Sequence, residues 1–195
     1  MRHYFLAIAL FLTTASVAQV KSGDAQLDQR LSNYMKYNEQ LDFEKMFDLI
    51  HPKIYKVAPK EQLIKVFKDA FDNEALEMAI DTIKTLAVGA PFRTGAASYR
   101  RVDYYMTMHL RFKDTTIYET PDFATTMITS LQQSFGNRVV SFDKDSKRFS
   151  VRGNDVLYAI KDNQDTPWMF IGYQKNEPLI KAIFPKDVIE HFKLL

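Results

Sequence analysis

Cysteine is absent from all 195 residues, which excludes disulfides, thiolate metal centres, thiol nucleophiles and the lipid-modified cysteine of bacterial lipoproteins. Glycine (6) and proline (7) are scarce, so the chain is neither collagen-like nor a low-complexity linker. An excess of one charge is also missing: 26 Lys plus Arg against 24 Asp plus Glu leave +2, too little to draw the chain to phosphate backbones, and nucleic acid is not an expected partner. Only four histidines occur; none sits in a His-Glu-x-x-His pattern, and no cluster has metal-ligand spacing. No glycine-rich phosphate loop is present either, so neither a metal nor a nucleotide cofactor is expected. The nearest approach to a metal motif runs from Asp143 through Asp145 to Lys147. It fails as a calcium loop, because Lys147 takes a ligand position and Asn154 stands where a bidentate Glu is required. It reads instead as a hairpin turn.

What is present begins with an export signal. Arg2 supplies a charged start, residues 5–12 an apolar core, and Ser16-Val17-Ala18 a small-residue cleavage site before Gln19. The apolar stretch is shorter than the roughly 20 residues that span a bilayer, so residues 1–18 are expected to be a cleaved leader and residues 19–195 the exported domain, periplasmic or secreted, with no transmembrane segment. Loss of Arg2 lowers the net charge from +2 to +1. That length suits one domain with a full hydrophobic core.

The clearest periodic signal lies in residues 98–112. Val102, Tyr104, Met106, Met108, Leu110 and Phe112 alternate with Arg101, Asp103, Tyr105, Thr107, His109 and Arg111, the period-2 pattern of a long strand with one apolar and one polar face. Residues 25–50 carry two helical stripes, Leu27, Leu31, Tyr34, Met35 and then Leu41, Phe43, Met46, Phe47, Ile50. Their change of phase predicts two helices meeting at a bend, with Asp42 capping the second. Pro52 ends that helix, and residues 53–57 read as a short extended piece. Pro59 opens a third helix burying Leu63, Val66, Phe67, Ala70 and Phe71. Residues 76–88 read as a strand with a bulge near Ile83. Residues 120–135 form a further helix with Phe123, Met127, Ile128, Leu131 and Phe135 inward, stopped at Gly136. Strands are expected at 138–142, 148–151, 156–161 and 168–173, with turns at 143–147, 153–155 and 162–166. One or two short helices close the chain.

This order of elements resembles the nuclear-transport-factor-2-like, or cystatin-like cone, superfamily. The resemblance rests on the stretch from Leu41 through His51-Pro52, on Pro59-Lys60-Glu61-Gln62-Leu63, and on Pro167-Trp168-Met169-Phe170. It implies an α+β fold in which N-terminal helices pack on a curved, cone-like antiparallel sheet, here with an inserted helix and added C-terminal helices. It also implies a cone whose open end holds a small apolar ligand, in a superfamily that includes isomerases, cyclases and non-catalytic binding modules.

The residues themselves leave the same alternatives open. Tyr104, Met106 and Met108, joined by Tyr158, Trp168 and Phe170, read either as plain core or as the wall of an apolar ligand cavity. Asp81, mid-strand among apolar residues, and His51, before Pro52, are the candidate general bases. His51 alternatively serves the carbonyls of a helix end. The face bearing Tyr99, Arg101, Tyr105 and Arg111 suits either solvent or a protein partner, including a second copy of the chain. The expected function is therefore an exported, non-catalytic binding or interaction module; the alternative is a small isomerase or cyclase using a carboxylate or His base.

Overall fold

A computed structural model describes residues 20–173, 175 and 177–195, and the expected leader lies outside them. Helix α1 (Ala25–Glu39) starts where the Asp24 carboxylate accepts the Leu27 N–H at 3.0 Å, and α2 (Phe43–Phe47) where Asp42 accepts from the Lys45 N–H at 3.2 Å. Both are side-chain caps that satisfy otherwise free amide groups. Helix α3 (Lys60–Phe71) follows Pro59. Strands β1 (Leu76–Val88), β2 (Phe92–Thr94) and β3 (Ala97–Phe112) come next, then α4 (Phe123–Phe135), β4 (Val139–Asp143), β5 (Arg148–Lys161) and β6 (Met169–Gly172). Helices α5 (Glu177–Ile183) and α6 (Lys186–Phe192) finish the chain.

The fold is α+β. The strands form one curved, unclosed antiparallel sheet in the order β1-β3-β5-β4, with β2 on β3 and β6 on β5. Its two faces are clothed differently. Val102, Leu157 and Phe170 pack under α1 and α2, while Met108, Leu110, Phe149 and Val151, further along the same face, pack under α4 through Leu131. The opposite face is covered at one end by α5 and α6, against Tyr99, Tyr158, Ile160 and Ile171. Beyond that cover it carries Arg101, Asp103, Tyr105, His109 and Arg111, which are exposed or half-buried.

Strand β1 departs from its alternation at two irregularities, between Ile80 and Thr82 and between Thr85 and Ala87. Each inserts one residue and reverses the parity of the face. This explains how Ile80 and Ile83, three apart, are both buried and how Val88 still reaches the core. The bulge expected near Ile83 thus falls on Asp81.

Four sequence expectations are corrected. Residues 53–57 are not extended: Pro52–Lys56 is a 3-10 turn, because the His51 ring caps the Lys53 N–H. The α3 stripe is not buried: Leu63 and Phe71 are half-buried, but Val66 and Ala70 are exposed and Phe67 is 38% exposed. The helix lies at the margin, touching α2 through the Phe67 ring against Phe43 and Phe47. Tyr99 does not join Arg101, Tyr105 and Arg111 on an open face, being 1% exposed beneath α5 and α6. Residues 153–155 are not a turn, because β5 runs unbroken through them, paired as Met106↔Gly153, Tyr105↔Asn154 and Tyr104↔Asp155.

Gly153 has a different reason to be glycine. Arg138 lies across it on its way to an ion pair with Asp155, and a Cβ at 153 would sit 2.9 Å from Arg138 Cγ and 3.4 Å from Arg138 Cα. Gly153→Ala is accordingly expected to cost about 1–3 kcal/mol through overpacking, and markedly less in an Arg138→Ala background. Urea unfolding of the four members of that cycle measures the coupling; equal costs in both backgrounds would refute the steric explanation.

Candidate functional site

The six residues expected to share one apolar wall are divided. Tyr104, Met106, Trp168 and Phe170 belong with the core under α1 and α2, where the Phe170 ring lies 5.1 Å from that of Tyr34. Met108 packs in the cluster under α4. Tyr158 pairs with Arg101 on β3, one position from the inward pair Val102↔Leu157. Parity therefore sends its ring to the opposite face, against Phe184 and Phe192.

On the helix side, Tyr34 and Tyr104 stand near the Arg138–Asp155 ion pair. Burial pushes the Tyr34 phenol up to about 12, and burial together with the Asp155 charge raises Tyr104 as well. Both remain neutral phenols, able to donate a hydrogen bond and not to act as bases near neutral pH. Asp155, held by Arg138 and by the Val156 N–H at 2.8 Å, is an engaged carboxylate.

Neither candidate base faces a cavity in the core. Asp81, bulged from the ladder, has a side chain 61% exposed, with Thr82 Oγ1 at 3.2 Å and His109 Nε2 at 3.9 Å. His109 Nδ1 in turn lies 2.9 Å from Ser150 Oγ. His51 is 2% exposed. Its Nδ1 accepts the Lys53 N–H at 3.3 Å, so the proton resides on Nε2, which donates to Asp162 Oδ2 at 3.2 Å. Burial lowers its pKa, opposed by the Asp162 carboxylate and assisted by the nearby Lys53 charge. His51 thus pins the turn after α2 to the turn after β5, with both ring nitrogens engaged; the Lys53 amide, and no helix-end carbonyl, is its partner at Nδ1.

The more open chemistry lies where α1, the β2–β3 hairpin and the turn after β5 meet. A hollow of about 810 Å³ is lined there by Asp24, Arg93, Ser98, Arg100, Lys161 and Trp168, with Asn163 and Gln164 at its lip. Trp168, the chain's one tryptophan, is fixed by its indole N–H donating to Asp24 Oδ2 at 2.8 Å, while Arg30 donates to its carbonyl. The other Asp24 oxygen caps α1. These hydrogen bonds, together with the Lys161 charge, hold the Asp24 carboxylate below its ordinary pKa although burial, the largest single influence, works against them. Arg100 lies over the Trp168 ring, 5.8 Å from its centroid, and donates from Nη1 to the Ser22 carbonyl at 2.8 Å. Its Nε is sealed from water and has no partner. A buried N–H left so costs about 1–3 kcal/mol, and native structures leave few without a reason.

Of this group only Trp168 was marked by the sequence. Arg93, Ser98 and Lys161 come together as one cross-strand row, Arg93↔Ser98↔Lys161, which register alone creates. The chain matches no protein-family model and no curated protein. No helix among the described residues is long and apolar enough to cross a membrane.

The His51 link makes stability pH-dependent. An unfolded histidine titrates near 6.5 and the folded His51 below that, so between the two values the unfolded chain holds more protons. The contribution is complete above about pH 6.5 and is lost as pH falls through the lower folded value. Urea midpoints at pH 7.5 and 5.5 should differ more for the wild type than for His51→Gln; equal differences would show that His51 does not titrate in this way.

Proposed function

We propose that this chain is an exported binding module without catalysis, and that its ligand occupies the hollow beside Trp168. The observation that carries the reading is the hollow itself. About 810 Å³ is open, within the range of small-molecule sites, and its aromatic wall is held in place by Asp24 and Arg30. The arrangement of N-terminal helices on a curved antiparallel sheet supports the resemblance to nuclear-transport-factor-2-like proteins, many of which bind without reacting. The isomerase or cyclase alternative draws support from the two neutral phenols, Tyr34 and Tyr104. It requires a free carboxylate beside them, and Asp155 is bound to Arg138.

A library of small metabolites screened by thermal shift tests the reading. A ligand at 100 times its Kd adds about 2.7 kcal/mol, or roughly 5–10 °C for a domain of this size. Each stabilising compound should also change Trp168 emission saturably and be recovered unaltered by mass spectrometry. Conversion of the compound, abolished by Asp81→Asn or His51→Gln, would overturn the non-catalytic reading.

A further inference from the structure

The hollow beside Trp168 gathers three cations with little to balance them. Arg93 and Lys161 flank Ser98 in the cross-strand row, two strand spacings, about 10 Å, from each other on one sheet face. Arg100, two residues along β3 from Ser98, points to the same face. Among the described residues none of the three is in an ion pair. The lining carboxylate, Asp24, has both oxygens engaged, one on the Leu27 N–H and the other on the Trp168 indole. At this spacing like charges repel one another only modestly, but the charge count of the lining, three positive against one negative, is +2.

Arg100 adds geometry to this charge. With Nη1 on the Ser22 carbonyl and the guanidinium over the Trp168 ring, 5.8 Å from its centroid, its position is held from two sides. What is left is the edge formed by Nε and Nη2, whose two N–H bonds run parallel, the arrangement that grips a carboxylate or phosphate through two oxygens. Nε on that edge is the buried donor without a partner, closed to a ligand oxygen as the side chain stands, and Nη2 is the donor left within reach. Asn163, Gln164 and Ser98 offer neutral donors and acceptors around it, suited to hydroxyl groups on the rest of a ligand.

We infer that the hollow binds a small polar oxyanion, a carboxylate or phosphate carried on a hydroxylated molecule. Nη2 of Arg100, which is neither sealed nor bonded, takes one of its oxygens, and Arg93 and Lys161 neutralise its charge. This rests on reading the hollow as the ligand site, and it names the ligand's class.

The experiment titrates the protein with citrate, inorganic phosphate and glucose 6-phosphate at constant ionic strength, with glucose as the neutral comparator, following Trp168 emission. At least one of the three anions should saturate the signal at low millimolar concentration or below, and glucose should not. Arg93→Gln/Lys161→Gln should weaken that binding by about tenfold or more, and Arg100→Lys, which keeps the charge but loses the planar guanidinium that holds Ser22 and the ligand together, by a similar factor. In the absence of ligand, the double variant should melt close to the wild type, because the modest repulsion it removes is offset by the lost attraction between Lys161 and Asp24. It therefore serves even if Arg100→Lys does not fold. Saturation by none of the anions, or unchanged affinity in the double variant, would overturn the inference. If a neutral compound saturates Trp168 emission and no anion does, the binding-module reading stands and the oxyanion is lost. If no compound of any kind binds, both fail.

Discussion

The ladder between β3 and β5 is the constraint on which the rest of the structure depends. It runs without a register shift from Ser98↔Lys161 to Leu110↔Phe149, and because side chains alternate faces, this one register assigns every residue on both strands to a side. Val102 and Leu157 go under α1 and α2; Met108 and Val151 go under α4. Tyr99, Tyr158 and Ile160 go to the other face, under α5 and α6. Strand β1 conforms to this frame by bulging twice, at a local cost in pairing, so that Ile80, Ile83 and Val88 all reach the same core.

The candidate site is a product of the same register at its end. Where the core under α1 runs out, the inward positions of β3 are Arg100 and Ser98 in place of Val102. The turn after β5 and the capping residue of α1 close over them. Asp24 serves three parts at once: it caps α1, fixes the Trp168 indole and places its charge near Lys161. Arg30, on α1, holds the Trp168 carbonyl and lies 3.0 Å from Met169 Sδ, and its burial lowers its pKa. Rigid attachment of the aromatic wall and of the Arg100 guanidinium is the kind of preorganisation that lowers the entropy cost of binding.

How much of this was legible follows from which signals are local. The β3 alternation, the Asp42 cap, the inward stripe of α4 and the Asx turn in which Asp143 accepts from Asp145 and Ser146 are all set by neighbours in sequence, and each was readable. Gly153-Asn154-Asp155 reads locally as a turn, but the long β3 partner holds it in the ladder, and the glycine answers to Arg138, which no local pattern reveals. The partial exposure of Val66 and Phe67 depends on where α3 docks, and its periodicity is silent on that. For the site, Trp168 was visible as an anchor, whereas Arg93, Arg100 and Lys161 are scattered charges until β2, β3 and β5 align. The face of Tyr158 is not legible for the same reason: the local turn signal at 153–155 hides the register that carries its side.

The central claim is that the ligand meets Arg100 at Nη2, and the neighbouring side-chain Nε–H, which reports on that contact, can be observed directly by proton–nitrogen NMR. Sealed from water, that proton should exchange slowly enough to give a resolved signal at neutral pH in the free protein. On addition of citrate, phosphate or glucose 6-phosphate the signal should shift saturably, in step with Trp168 emission. A saturable change at Trp168 with the Arg100 Nε–H signal unmoved would contradict the claim.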